Sequence, residues 1–194
     1  PPKTADSPTG SPVRSGPGKR PDAFNSFGSD DQVPAWYRDD PRFPSLATEP
    51  TANPPVTGSL GRREAMAGLE AEKQNLIPGP IRRGPAAIEF FDGKGHPWDV
   101  KTPPSKTPPN SLDVDKAAAS VIKELRKPNV TNPISEVPGP RGVILDSTYL
   151  NEADHSAIWN VLTNTLTDEE FKRIIEINVK LRTCLLYTSD AADE

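Results

Sequence analysis

The reading of this chain turns on Ile88-Glu89-Phe90-Phe91-Asp92-Gly93-Lys94-Gly95-His96-Pro97-Trp98-Asp99-Val100-Lys101-Thr102. Residues 86–91 are apolar except for Glu89 and read as a strand. Asp92-Gly93-Lys94-Gly95 is a turn signal and Pro97 to Thr102 a second strand, so residues 86–102 are predicted to form a β-hairpin. Side chains alternate between the faces of a strand, which puts Asp99 and Lys101 on one face and Trp98 and Val100 on the other. Once the hairpin folds back, Glu89 comes opposite the Asp99–Lys101 region. Two carboxylates and an ammonium then share a sheet surface. Carboxylate oxygens hold hard Mg²⁺, the metal activates water and stabilises charge on a phosphate, and a lysine faces the developing negative charge. Metal-assisted phosphodiester hydrolysis uses this grouping. Asp92 is the other acid available here, but a hairpin tip is a poor place for a ligand.

Outward from the hairpin, Gly61 to Leu76 carries Met66, Leu69 and Leu76 on about one face and is predicted to be an amphipathic helix ended near Pro78-Gly79-Pro80. Asp113 to Lys127 reads as a helix with Ala117, Val121, Ile122 and Leu125 inward, bounded by Pro128. Gly142-Val143-Ile144-Leu145-Asp146 is nearly all apolar, as a strand buried on both faces requires. A helix is expected around 154–163. Another starts at Thr167, where Glu170 completes a capping box, and is expected to continue through Phe171, Ile174, Ile175 and Ile177. Helix, hairpin, helix, strand, helix, helix makes an α/β layer domain over 60–182 with a small central sheet and flanking helices.

The hairpin resembles the restriction-endonuclease-like nuclease superfamily, whose signature is a carboxylate followed by (Asp/Glu)-x-Lys, the PD-(D/E)xK pattern. Glu89 matches the first acid, where members usually carry Asp, and Asp99-Val100-Lys101 matches the triplet. The resemblance implies a restriction-endonuclease-like core that opens with a helix contributing a further acid. Glu64, Glu70 and Glu72 are available on the helix over 61–76, and Glu72, close to the Leu69–Leu76 stripe, is the one favoured. One of that core's usual strands is not evident. The implied catalytic residues are Glu72, Glu89, Asp99 and Lys101, with Glu72, Glu89 and Asp99 holding Mg²⁺ or another divalent cation. Lys106, Lys116, Lys123 and Arg126 are expected to face a phosphate backbone, and Arg82-Arg83 to approach the substrate.

A Pro-rich stretch followed by one compact domain also resembles the toxic tip of a bacterial polymorphic or contact-dependent toxin, with segment 84–177 carrying the likeness. That resemblance implies a secreted or surface-delivered endonuclease that cuts tRNA or DNA in the cytoplasm of a target cell, and a cognate immunity protein as partner. Two other classes stay open: a non-catalytic binding or adaptor domain, and a metal-independent RNase in which Asp146 or Asp154 orients His155 as general base.

Composition sets the remaining bounds. The net charge is -4 at 194 residues, which excludes a histone-like basic protein, yet between Arg62 and Arg182 there are 17 basic and 17 acidic residues, so the domain itself is neutral toward a polyanion. The single Cys184 excludes an intramolecular disulfide and a four-Cys metal site. No apolar run approaches a membrane span, and no P-loop, GxGxxG, HExxH or GxSxG pattern occurs. Residues 1–58 hold 12 of the 24 prolines and read as a disordered linker. One island in it, Val33 to Tyr37 with Phe43 and Leu46, is expected to pack on the domain or to meet a partner. The last eleven residues, 184–194, resemble a translated sequencing adapter, which implies a non-native tail.

Overall fold

The computed structural model describes residues 14–85, 88–129 and 139–181. The tail over 184–194 and residues 1–13 of the expected linker lie outside the described residues.

A five-stranded mixed sheet organises the body, in the order β3-β4-β5-β6-β7. Its strands are β3 (Arg82–Arg83), β4 (Phe90–Phe91), β5 (Pro97–Lys101), β6 (Gly142–Asp146) and β7 (Ile174–Ile177). The hairpin forms as β4 antiparallel to β5, with Phe90 opposite Trp98 and Phe91 opposite Pro97. Continuing that register by one residue brings Glu89 opposite Asp99. Asp92 organises the turn: its carboxylate accepts hydrogen bonds from the amides of Lys94 and His96 and from the Trp98 indole. β3 adds an antiparallel edge to β4. A two-residue Arg-Arg strand has no apolar alternation to announce it.

β5, β6 and β7 run parallel, and parallel neighbours need crossover connections. Helix α4 (Val114–Leu125) makes the first and α5 (Glu152–Thr165) the second. Asp113 caps α4 by accepting from the Lys116 amide, and Asn151 caps α5 through the Asp154 amide. All five residues of β6 are buried, because apolar layers cover both faces. Val143 and Leu145 meet α4 and α5, packing with Val121, Leu125, Ile158, Trp159 and Leu162. Ile144 faces the opposite layer, with Phe90, Val100, Ile175 and Ile177.

That opposite layer is built on α3 (Ser59–Lys73). Every residue from Arg62 to Ala71 is buried, so α3 is a central helix and not the amphipathic surface helix that its sequence suggests. Its second cover is the segment read as linker. Residues 14–58 form short 3-10 turns, helices α1 (Ala35–Arg38) and α2 (Phe43–Ala47), and a hairpin of β1 (Thr48–Glu49) with β2 (Val56–Thr57). Phe27, Val33, Tyr37, Phe43 and Leu46 are buried in one cluster with Met66 and Leu69. Arg62 and Arg63 of α3 donate to the backbone carbonyls of Phe27 and Phe24. The expected flexible linker is therefore corrected over residues 14–58. Its scattered aromatic and aliphatic side chains are enough to dock it, although they lack regular periodicity.

The C-terminal expectation is corrected as well. The Thr167–Glu170 capping box forms, but the helix it starts, α6 (Asp168–Phe171), lasts one turn. Ile174-Ile175-Glu176-Ile177 is a strand. Three β-branched residues favour it, and β7 buries Ile174 in one apolar layer and Ile175 and Ile177 in the other.

Candidate active site

Period-two alternation along β5 sends Val100 into the α3 layer and leaves Asp99 and Lys101 on the face toward α4. The Lys101 ammonium lies 2.8 Å from Asp99 Oδ2 and 3.5 Å from Glu124 Oε2 on α4. Asp99 is 5 % exposed, so its charge is poorly hydrated, and burial pushes its pKa up to about 6 against the opposing pull of Lys101, with Glu124 and Glu89 adding to the rise. Lys101 titrates above its usual value: burial works against its charge, and Asp99 and Glu124 outweigh burial. Glu124 is itself nearly fully buried and held by Lys127 at 2.7 Å and Arg141 at 3.4 Å. A chain of alternating charges thus runs from the strand to the helix behind it.

A second chain of charges meets the first at Glu89. Arg83 of β3 places Nη1 2.7 Å from Glu89 Oε2 and 3.3 Å from Glu64 Oε2, and Nη2 3.2 Å from Glu49 Oε2. Glu64 projects from α3 beside Glu89, and the two carboxylates share the Arg83 Nη1. Burial, and then the charge of Glu89, push Glu64 up to about 8, although Arg83 pulls the other way. Glu64, Glu89 and Asp99 therefore form a run of adjacent acids, interleaved with Arg83 and Lys101. Glu89 Oε2 and Asp99 Oδ2 are buried and lack a hydrogen bond, despite the cation close to each. Among the described residues, no group of three or more His, Cys, Asp or Glu side chains is arranged to hold a metal ion.

The other acid expected from the helix does not join this cluster. Glu72 is clamped by Arg42 at 2.7 Å and accepts from the Ile81 amide at 2.8 Å. It ties α3 to α2 and to the approach of β3. Glu64, two turns earlier on α3, faces Glu89 in its place, and Glu124 joins Lys101 with no warning in the sequence. A helical stripe identifies a buried face only where a helix has an exposed one, and the middle of α3 has none.

No family model, curated protein or solved structure matches this chain. The chemistry of the cluster therefore rests on its own geometry.

The expected phosphate contacts divide. Lys106 and Lys116 line a groove of about 510 Å³ together with Lys101, Pro103, Pro104 and Leu112. Lys123 is exposed on α4, two turns beyond Lys116. Arg126 is joined to Glu170 at 2.8 Å and to the Thr165 carbonyl at 3.3 Å, so it fastens α4 to the α5–α6 corner. His155 is held by neither Asp146 nor Asp154. Its Nε2 lies 2.8 Å from Glu176 Oε2, a buried carboxylate that also accepts from Trp159, Ser147 and the Gly16 amide. Asp146 is spent on the Thr148 amide and hydroxyl, and Asp154 accepts from Ser105. No helix among the described residues is long and apolar enough to cross a membrane.

Proposed function

We propose that the chain is a divalent-cation-dependent endonuclease domain, with Glu64, Glu89, Asp99 and Lys101 as its catalytic cluster. The observation that carries the reading is the ammonium of Lys101 at 2.8 Å from Asp99 on one strand face, beside the adjoining pair Glu89 and Glu64. Element order supports it. With β3 in place, the chain runs helix α3, three antiparallel strands, helix α4, then β6 parallel to β5. That order supports reading the body as a restriction-endonuclease-like core, with β3 as the strand not evident from sequence.

The carboxylate oxygens are donors of the kind a hard cation takes, although Arg83 and Lys101 occupy them and they are not arranged around a common point. Three carboxylates are adjacent, and two of their oxygens are buried without a hydrogen bond. Glu89 and Asp99 would hold the ion, with Glu64 next to it. A bound divalent cation would supply an activated water and charge neutralisation at the phosphate. Lys101 contributes what the chain itself provides at that point, a fixed positive charge facing the scissile phosphate, kept protonated by Asp99 and Glu124. Glu124, Lys127 and Arg141 hold Lys101 in place from behind. Lys106 and Lys116, along the groove that starts at Lys101, receive the flanking phosphates.

As a toxin tip, such an enzyme acts in a target cell after delivery and requires an immunity protein to spare its producer. Incubating the full chain with plasmid DNA and with total tRNA, in Mg²⁺ or in chelator, tests the reading. Cutting of one substrate in Mg²⁺ alone is expected, with losses of at least about a hundredfold in Asp99→Ala and Lys101→Ala. Equal cutting by wild type and Asp99→Ala overturns the site. No cutting of either substrate favours the binding-domain reading.

A further inference from the structure

Resting on that reading and narrowing its substrate, we propose that the groove between the end of β5 and helix α4 seats an unpaired stretch of nucleic acid and refuses a double helix. Its floor and its rim differ in chemistry. The half-buried Pro103, Pro104 and Leu112 make an apolar floor, and the exposed Lys106 and Lys116 stand at the rim. No ion pair holds either rim ammonium among the described residues. Asp113 is the acid on the lining, and its carboxylate is engaged by the Lys116 amide as the cap of α4. The groove therefore sets a positive excess over an apolar surface. A nucleic-acid strand has the matching pair of features, phosphates along its backbone and flat apolar base faces. An acidic peptide offers the charge without the faces.

Size and stacking exclude the duplex. A double helix keeps its base faces stacked inside and shows phosphates, sugars and groove edges outside, so an apolar floor has nothing to meet there. At about 510 Å³ the groove falls within the range of a pocket for one small molecule, roughly 300–1,000 Å³. That is room for a nucleotide or two. The wall is also set before any strand arrives. Ser105, 5 % exposed, lies between Pro104 and Lys106. Its amide donates to the Tyr149 carbonyl, its hydroxyl donates to Asp154, and its oxygen accepts from the Asn151 amide. Two adjacent prolines stiffen the same stretch, so little is lost in ordering it on binding. The groove opens at Lys101, so a strand lying in it brings a phosphate to the ammonium beside Asp99. A folded tRNA carries unpaired loop nucleotides that can enter; intact plasmid DNA does not.

The test is fluorescence anisotropy of labelled oligo(dT) and oligo(U), each free or paired with its complement, mixed with the full chain in chelator so that nothing is cut. The single strands are expected to bind at least about tenfold more tightly than the duplexes. Replacing both rim lysines, Lys106→Ala with Lys116→Ala, is expected to weaken single-strand binding at least about tenfold and to lower the salt slope by about 1.4, the share of two phosphate contacts. Pro104→Ser and Leu112→Ser are each expected to weaken it several-fold with the salt slope unchanged, because they remove contact with bases and not with phosphates. Lys94→Ala, in the turn at the opposite end of β5, removes a like charge and should change neither quantity. Single-strand binding that is absent or no tighter than duplex binding overturns the proposal, as does unchanged affinity in the double lysine variant or in both floor variants. Equal competition by oligo-glutamate overturns it too, and assigns the groove to an acidic peptide. A chain that cuts in Mg²⁺ but binds both forms alike loses this proposal and keeps the nuclease reading. A chain that binds the single strand through the groove but cuts nothing keeps the groove as assigned and loses the nuclease. Thermal unfolding checks that each variant folds; should a floor variant fail, the exposed lysines decide the matter.

Discussion

Glu64 is the carboxyl most at odds with its surroundings, and its proton is measurable. Its pKa is pushed up to about 8, that of Asp146 to about 7 and that of Asp99 to about 6, each chiefly by burial. An acid whose pKa is higher folded than unfolded binds more protons in the folded state throughout the window between the two values. Stability is therefore highest near the unfolded pKa and falls as pH rises toward the folded one. In chelator, the melting temperature is expected to drop by several degrees between pH 5 and pH 8. Glu64→Gln should flatten the upper part of that slope, by an amount on the order of 2 kcal/mol. A flat profile in wild type would contradict the burial of these groups. Lys101→Ala should cost about 1–3 kcal/mol at pH 7, because Asp99 and Glu124 lose their ammonium, whereas Asp99→Asn should be near neutral by urea titration. The shared face of Asp99 and Lys101 was legible from alternation alone. The choice of Glu72 over Glu64 was not, because it depended on which side of α3 was covered, and residues 14–58 cover the side that the stripe left open.

At the level of elements, Gly142 explains how β6 sits so close to β5. A Cβ placed there would lie 2.4 Å from the Trp98 ring, and Gly142 is the register partner of Trp98. Gly142→Ala is expected to destabilise by about 1–3 kcal/mol through overpacking, read as a shifted urea midpoint with an unchanged slope. Smaller cost would mean that the indole moves freely. Gly68 does the same work on α3, where a Cβ would stand 2.7 Å from the Phe90 ring. The two ends of the sheet show what pattern reading captures. β6 announces itself because both its faces are covered. β7 does not, because a capping box directly precedes it and an Ile-rich run suits a buried helix as well as a strand. The tertiary partner decides: β6 offers an open parallel edge, and Ile174 to Ile177 fill it. β3 is invisible because two arginines are recruited to a strand by pairing alone.

For the molecule as a whole, residues 14–58 are structure and not tether. Phe43→Ala, at a residue 1 % exposed, is expected to cost about 3–5 kcal/mol, and a chain beginning at residue 59 should fail to fold cooperatively, because α3 would show its buried middle to water. A sharp thermal transition in that shortened chain would return residues 14–58 to the status of a linker. Composition misled here because prolines and glycines dominate the count while only a few apolar side chains carry the docking. Proline restricts the unfolded chain, so a Pro-rich segment loses less entropy on docking than its irregular look implies.

One contact has a mechanical meaning. Asn178 donates to the carbonyls of Ser15 and Gly16, and the Gly18 amide donates to Ser147 at the end of β6. Residues 15–18 thus lie against the chain that follows β6 and β7. A force drawing residues 15–18 off the body loads those few bonds one after another, as a zipper is loaded, before it reaches the sheet.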